Sequence, residues 1–444
     1  MSKAKIGFIS LGCPKNQLDT EIMLRELVEA GYGIVAEDYE ADIIIVNTCA
    51  FIESAKKEAI DNILDVAWLK ENRNLKGIIV TGCLAERYRE EILESLPEVD
   101  ALLGVNSIHD IVKCVRAVEN KRKVKFTSFK TEDELTLGGD RIVTTQNFAY
   151  IKIAEGCDNR CTYCAIPGIR GSFRSRKMED IIAEAKDLEG LDIKELVIVA
   201  QDTTRYGEDI YGEYKLAELL HRLAKETEIP WLRILYCYPD KITDELVCEI
   251  ANNDKVVKYI DMPVQHINDE VLRRMNRHGG SAVIKDAIER LRKGVPGIVI
   301  RSTAIAGFPG ETNEQFEELC EFIGEAKFER FGAFPYSREE NTPAFDLPNQ
   351  LEEQEKADRA DMLMRKQMSI SAEFNQKQLG KILTVLCEGF DPVSEAHFGR
   401  SYMDAPEIDG KIYFTSDTKI PIGNFVKVEI TDILDYDLIG EALV

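Results

Sequence analysis

The chain has 444 residues, 44% of them hydrophobic and 30% charged, a length beyond one compact core that calls for several domains. No apolar run reaches the roughly 18 residues of a membrane span, and the first residues lack the apolar core of a secretory signal, so a cytoplasmic protein is expected. The formal net charge of −23 opposes a general affinity for nucleic acid, whose phosphates it would repel. Eleven cysteines, an odd number at uneven spacing, read as metal ligation or redox chemistry rather than a disulfide framework.

The expected class is α/β, with strands and helices alternating over most of the chain. In residues 1–118, strands are predicted at 5–9, 42–46 and 77–80 and helices at 17–30, 54–70, 85–95 and 107–118. That alternation implies an open parallel sheet covered by helices on both faces. Residues 119–145 break it: a basic cluster (Lys121, Arg122, Lys123, Lys125) leads into the turn-rich TEDELTLGGD, read as a linker. Residues 146–375 resume it, with strands at 150–154, 195–200, 231–236, 257–262, 298–304 and 332–336. Helical stretches at 179–188, 215–226, 243–251, 269–275 with 281–293, and 313–325 separate them, as in a partial (β/α)6 barrel with right-handed crossovers. A long polar helix over 350–378 leads into residues 376–444, where short strands at 381–387, 411–415 and 425–430 suggest a small antiparallel β-barrel.

Cys157, Cys161 and Cys164 fall in eight residues directly after the first strand of the predicted barrel, at the mouth where such barrels place their chemistry. Three thiolates can hold a four-iron cluster and leave one iron open. A zinc site would want a fourth ligand, and residues 150–175 hold no further Cys and no His; buried core cysteines would not explain Gly156, Pro167, Gly168 and Gly171 in the same loop. Cys13, Cys49 and Cys83 are far apart in sequence, but each follows a predicted strand of the first domain. Loops beyond strand C-termini converge on one edge of a parallel sheet, so these three form a second candidate metal site. The bland alternative is three small apolar residues buried at strand ends. Cys114, Cys237, Cys248, Cys320 and Cys387 read as core, with Cys237 also a candidate for lining the site.

The CxxxCxxC spacing resembles the signature of the radical S-adenosylmethionine (SAM) superfamily, and with both triads the chain resembles the methylthiotransferase family from end to end. Within it the RimO-type branch, which modifies a ribosomal protein, is matched by Ser10-Leu11-Gly12-Cys13-Pro14-Lys15-Asn16, Gln201-Asp202-Thr203-Thr204, Met262-Pro263-Val264-Gln265-His266, Gly307-Phe308-Pro309-Gly310-Glu311-Thr312 and Gly399-Arg400-Ser401-Tyr402 with Asp404-Ala405-Pro406-Glu407-Ile408-Asp409-Gly410. The tRNA-modifying branch usually carries Gln-Met-Asn after its first cysteine, where this chain has Pro14-Lys15-Asn16. The resemblance implies a radical SAM barrel flanked by an N-terminal three-cysteine domain and a C-terminal TRAM barrel. It implies SAM and two [4Fe-4S] clusters as cofactors. One cluster makes a 5′-deoxyadenosyl radical that takes a hydrogen from the β-carbon of an aspartate in small-subunit ribosomal protein twelve; the other delivers sulfur, and a second SAM the methyl group. An electron donor is a further implied partner. A tRNA methylthiotransferase and a non-catalytic iron–sulfur carrier are the competing readings.

Tyr163, by resemblance, presents its backbone to the adenine. Gln201 and Asp202 end a strand and read as either SAM contacts or loop caps. Gly307, Gly310 and Glu311 lie between strand and helix, where backbone amides face a ligand unless the segment is a plain Gly/Pro turn. Gln265 and His266 also end a strand, the histidine reading more simply as structural. The basic cluster at 121–125 is a solvated linker, or else a dock for ribosomal RNA. From residue 376 onward six basic residues face twelve acidic ones, a balance of −6 that suits a basic protein substrate better than tRNA.

Overall fold

The computed structural model describes residues 3–120, 126–131 and 138–443. Its first sheet is parallel throughout, in the order Gly33–Ile34, Lys5–Ser10, Ile43–Thr48, Gly77–Gly82, Ala101–Leu103, Phe126–Ser128. The central strands Ile43–Thr48 and Gly77–Gly82 are buried at every position, as continuous apolar runs in a sheet covered on both faces should be. Ile44, Val46, Ile78 and Val80 pack on one side with Ile63 and Val66, while Ile43, Ile45 and Ile79 pack on the other with Ile22, Leu27 and Val115.

Three expectations for this region change. The helix expected over 85–95 is two short ones, Cys83–Tyr88 and Glu90–Ser95, broken at Arg89, whose φ is +43°. The last helix begins with a 3-10 turn, Val105–Asp110, and is α-helical only over Ile111–Glu119. Residues 119–145 are not merely a linker. Phe126–Ser128 adds an edge strand beside Ala101–Leu103, and the buried Arg141 bridges Glu21 of the first domain and Glu184 of the second. Lys121, Arg122, Lys123 and Lys125 lie outside the described residues.

The second sheet runs Arg330–Pro335, Val299–Ala306, Val256–Asp261, Trp231–Ile234, Glu195–Val199, Phe148–Lys152, all parallel. One face (Ile151, Leu196, Ile198, Ile234, Ile260, Ile300) packs on the surrounding helices. The opposite face (Tyr150, Val197, Val199, Val257, Tyr259) packs on the C-terminal domain and on Leu18. The polar helix Glu353–Gln376 lies against Arg330–Pro335 and Asn313–Ala326.

The C-terminal domain is a closed barrel of Ile382–Asp391, Ala396–Arg400, Ile412–Thr415, Asp437–Ala442 and Phe425–Leu434. Two of these strands were not expected, and Ile412–Thr415 pairs with Asp437–Ala442 in parallel, so the barrel is not purely antiparallel. Both unexpected strands carry a glycine that weakens the sequence signal but that tight closure requires. A Cβ at Gly399 would lie 2.0 Å from the Leu386 carbonyl oxygen, and one at Gly440 2.4 Å from that of Glu429. Buried polar contacts lock this barrel to the central sheet: Arg400 to Glu195 at 2.7 Å, Tyr259 to Asp409 at 2.6 Å and Arg330 to Asp404. Among the described residues no helix is long and apolar enough to cross a membrane.

Candidate functional site

In the first sheet, Ser10 pairs with Asn47 and Asn47 with Thr81, so three adjacent strands end in one row. Cys13, Cys49 and Cys83 stand just past that row, Cys13 capping helix Pro14–Glu29 and Cys83 opening Cys83–Tyr88. The three thiols are close enough to perturb one another electrostatically. Asn16 ties their loops together, donating to the carbonyls of Leu11 (3.1 Å) and Thr48 (2.8 Å) and lying 3.6 Å from the Cys83 thiol. Gly12 has φ +93°, and a Cβ there would sit 2.7 Å from Cβ of Cys49 and 3.1 Å from its sulfur. A side chain at that point would collide with Cys49.

The loop of Cys157, Cys161 and Cys164 is closed at its base by a two-stranded ribbon, Ala154–Glu155 against Arg174–Ser175. Gly156 makes the ribbon possible: a Cβ there would fall 2.0 Å from the Ser172 carbonyl oxygen. The loop is pinned from several elements. Thr162 donates to the Met275 carbonyl and its own carbonyl accepts from Ala344, Asn276 donates to the Arg160 carbonyl, and Asn159 donates to Asp202 at 2.7 Å. Cys161 lies 2.9 Å from the Tyr238 hydroxyl, under which Arg277 stacks at 3.7 Å. The thiols here also sense one another.

Burial pushes Cys83 up to about 12 and Cys157 up to about 11, and raises Cys49 and Cys164 as well. Bare thiols in such surroundings hold their protons, and metal binding must displace them. All six cysteines are free thiols. Among the described residues no three His, Cys, Asp or Glu side chains are gathered as tightly as a single ion requires. A cubane cluster is a larger body and takes more widely spread thiols. The donor set, the missing side chain at Gly12 beside Cys49 and the tethered loop at Gly156 all fit such a group.

A buried ionic network joins the two triads. Arg170, six residues past Cys164, contacts both carboxylate oxygens of Glu155 (3.2 and 3.1 Å), Asn16 (2.6 Å), Asp19 (3.0 Å) and the Cys83 sulfur (3.8 Å). Lys152 adds bonds to Asp19 (2.9 Å) and Glu155 (2.6 Å). Against the opposing effect of burial, Arg170 and Lys152 hold the Glu155 carboxyl well below the usual range. Sequence reasoning missed this network because its contacts across the two domains join residues 87 to 154 positions apart; the one available signal was an arginine in a Gly/Pro-rich loop next to the cysteines. Lys15 belongs to the Ser10–Asn16 segment; its ammonium stands 3.2 Å over the Tyr236 ring, and burial pulls it below the ordinary lysine range.

The remaining candidates divide. Gln201 donates to Glu155 at 2.6 Å, while its carbonyl oxygen is buried without a partner among the described residues. Tyr163 packs beside Val271, Met275, Phe308 and Tyr336. The amides at 307, 310 and 311 are bonded within the protein. Gly307 donates to the Glu311 carboxylate, Gly310 to the Asn349 carbonyl and Glu311 to the Phe308 carbonyl. The Glu311 carboxylate also holds Arg359 at 2.5 Å, so Gly307, Gly310 and Glu311 shape the loop by internal bonding. Gly307 has φ +75°, and a Cβ there would collide with Lys356. His266 is fully buried and accepts from the Asn268 amide, a structural role. Cys248, expected in the core, is exposed.

Fold and site together define a radical SAM enzyme. Residues 151–323 match the Radical SAM superfamily, 379–443 the TRAM domain and 5–104 the uncharacterized protein family UPF0004. The chain is similar in fold to the radical S-adenosylmethionine methyltransferase TsrM from Kitasatospora setae, with TM-score 0.57, 13% identity, and 78% of this chain and 74% of that one covered. It is 49% identical over 439 residues to the ribosomal protein uS12 methylthiotransferase RimO of Thermoanaerobacter sp. (strain X514), covering 98% of this chain and 99% of that protein. It is 50% identical over 441 residues to the protein of that name from Clostridium botulinum (strain Eklund 17B / Type B), covering 99% and 98%. The chain belongs to the RimO methylthiotransferase family, whose cofactors are SAM and [4Fe-4S] clusters.

Proposed function

We propose that this enzyme attaches a methylthio group to the β-carbon of an aspartate in ribosomal protein uS12, in the cytoplasm. The observation that carries the reading is the pair of three-thiol sites joined through Arg170. Cys157, Cys161 and Cys164 would hold one [4Fe-4S] cluster, and Cys13, Cys49 and Cys83 the other. SAM held at the first would supply the radical chemistry that an unactivated C–H bond demands, and a cluster held by the second would present the sulfur. The chain's own part is positioning. Asn159, Thr162 and Asn276 fix the first loop, Asn16 fixes the second, and Arg170 sets the distance between them. Gln201 and Tyr163 are the candidates for contact with SAM.

Charge favours a basic protein as partner. Glu388, Asp404, Glu407 and Asp409 are engaged within the molecule, by Arg400, Arg330, Tyr150 and Tyr259. The outer barrel surface still pairs Glu429 directly across from Glu441, both exposed, with Asp432 and Asp435 nearby. Like charges placed opposite one another cost stability that a cationic partner restores. The test is reconstituted, reduced protein incubated with SAM and purified uS12, followed by mass spectrometry. One methylthio group on a single aspartate is expected; SAM cleavage with unmodified uS12 would sink the substrate assignment. Replacing Glu429, Asp432, Asp435 and Glu441 by their amides should weaken uS12 binding at low salt and matter less at high salt.

A further inference from the structure

Lys15 is a buried cation with no salt bridge, the Cys13 thiol being the foremost acidic group to act on it. It is 6% exposed, lies two residues past Cys13 in the first turn of helix Pro14–Glu29, and stands over the Tyr236 ring. No hydrogen-bond acceptor or ion-pair partner meets it among the described residues. The carboxylates around it already have cations of their own. Glu155 and Asp19 share Lys152 and Arg170, and Asp261 is paired with Arg301 at 2.9 Å. A ring face compensates part of an ammonium's lost hydration but accepts none of its hydrogen bonds in full, leaving donors for a ligand.

The ring beneath the lysine is held there under strain. Tyr236 has φ +62°, a left-handed conformation costly for a bulky residue, and its amide donates to Asp261 at 3.0 Å. It sits just past the C-terminal end of Trp231–Ile234, at the barrel mouth, while Lys15 follows directly on the other triad. The ammonium therefore stands where the loop of Cys13 meets the barrel mouth, with Glu155 and Asp261 around it.

We infer that Lys15 receives the side-chain carboxylate of the aspartate to be modified, with the Tyr236 ring as its floor. The inference rests on the aspartate reading above and names the residue that enforces it. The β-carbon is bonded to the carboxyl carbon, so fixing the carboxylate fixes the reacting C–H to within one bond length, about 1.5 Å.

The test is a double-mutant cycle across the contact. Cluster-loaded wild type, Lys15→Met and Lys15→Arg are each titrated calorimetrically with uS12 carrying Asp or Asn at the modified position, with iron per chain as the control for an intact site. Wild type should bind the Asp form about 30-fold or more tightly than the Asn form. Lys15→Met should bind the two forms within about threefold of each other, and Lys15→Arg should keep most of the preference. A wild type indifferent to Asp or Asn overturns the role of Lys15, whatever the variants do. So does a Lys15→Met enzyme that keeps the wild-type ratio. Failure of wild type to methylthiolate the Asp form overturns instead the aspartate reading beneath it.

Discussion

Replacing Arg170 by Met should uncouple the two thiol sites and destabilise their junction. With Arg170 present, two buried cations (Arg170, Lys152) balance two buried carboxylates (Asp19, Glu155); without it Lys152 alone faces both. Removing one partner from a buried ion pair costs about 3–5 kcal/mol, because the charge left behind is neither solvated nor paired. Arg170→Lys should recover little, since one ammonium cannot reach Glu155 on one side and Asn16, Asp19 and the Cys83 sulfur on the other. Arg170→Met with Asp19→Asn restores charge balance and should regain about half of the loss. The assay is built into the chain: of its two tryptophans, Trp68 lies in the N-terminal domain and Trp231 in the central sheet. Urea unfolding of single-tryptophan versions (Trp68→Phe, Trp231→Phe) reports the domains separately. Wild type should show both reporters moving together, and Arg170→Met should split them, with the N-terminal domain releasing first. Coincident transitions within about 1 kcal/mol of wild type, or no recovery with Asp19→Asn, would refute the reasoning.

Gly156→Ala should keep the fold but lose one cluster, because the added Cβ meets the Ser172 carbonyl at 2.0 Å; iron per chain should drop from about eight to about four. The same halving is expected when either cysteine triad is replaced by Ala, and both sets replaced together should leave none. Glu311→Gln should lower stability by roughly 3 kcal/mol in a thermal melt, since it weakens the buried contacts to Arg359 and the Gly307 amide. The metal-free protein should lose stability as pH rises above about 8.5, the pKa of an unfolded thiol. Folding raises Cys83 to about 12 and Cys157 to about 11, so the folded chain keeps protons that the unfolded chain releases, and their contribution vanishes as pH passes those values. Melting curves of metal-free protein between pH 8 and 10 check the sign: a rising midpoint contradicts it.

Local chemistry made the first cluster loop legible: three cysteines in eight residues after a strand need no tertiary knowledge to be read as one site. The second triad was legible through topology, because parallel strands 5–10, 43–48 and 77–82 had to end on one edge; the aligned row Ser10–Asn47–Thr81 supplies the reason. Residues whose roles depend on another domain were not legible. Arg170 and Asp19 are ordinary charged residues in sequence and become a network only when helix Pro14–Glu29 meets the barrel. The packing of the Gly307–Glu311 segment was not legible either. It has the composition of a ligand-facing turn, and a later helix lays Lys356 against Gly307 and Arg359 on the Glu311 carboxylate. Strands 396–400 and 437–442 were hidden by the glycines that let the small barrel close.

The C-terminal barrel seals the underside of the central sheet, with Arg400 on Glu195, Asp404 on Arg330 and Phe425 against Trp231. It is a wall of the enzyme. Truncation before residue 376 would strip Arg330 of its carboxylate and open an apolar row to water, so the catalytic half is not expected to survive as an independent piece. Retargeting to a different macromolecule is thereby restricted to the solvent-facing side of those strands, while the inward side stays the same whatever is recognised outside.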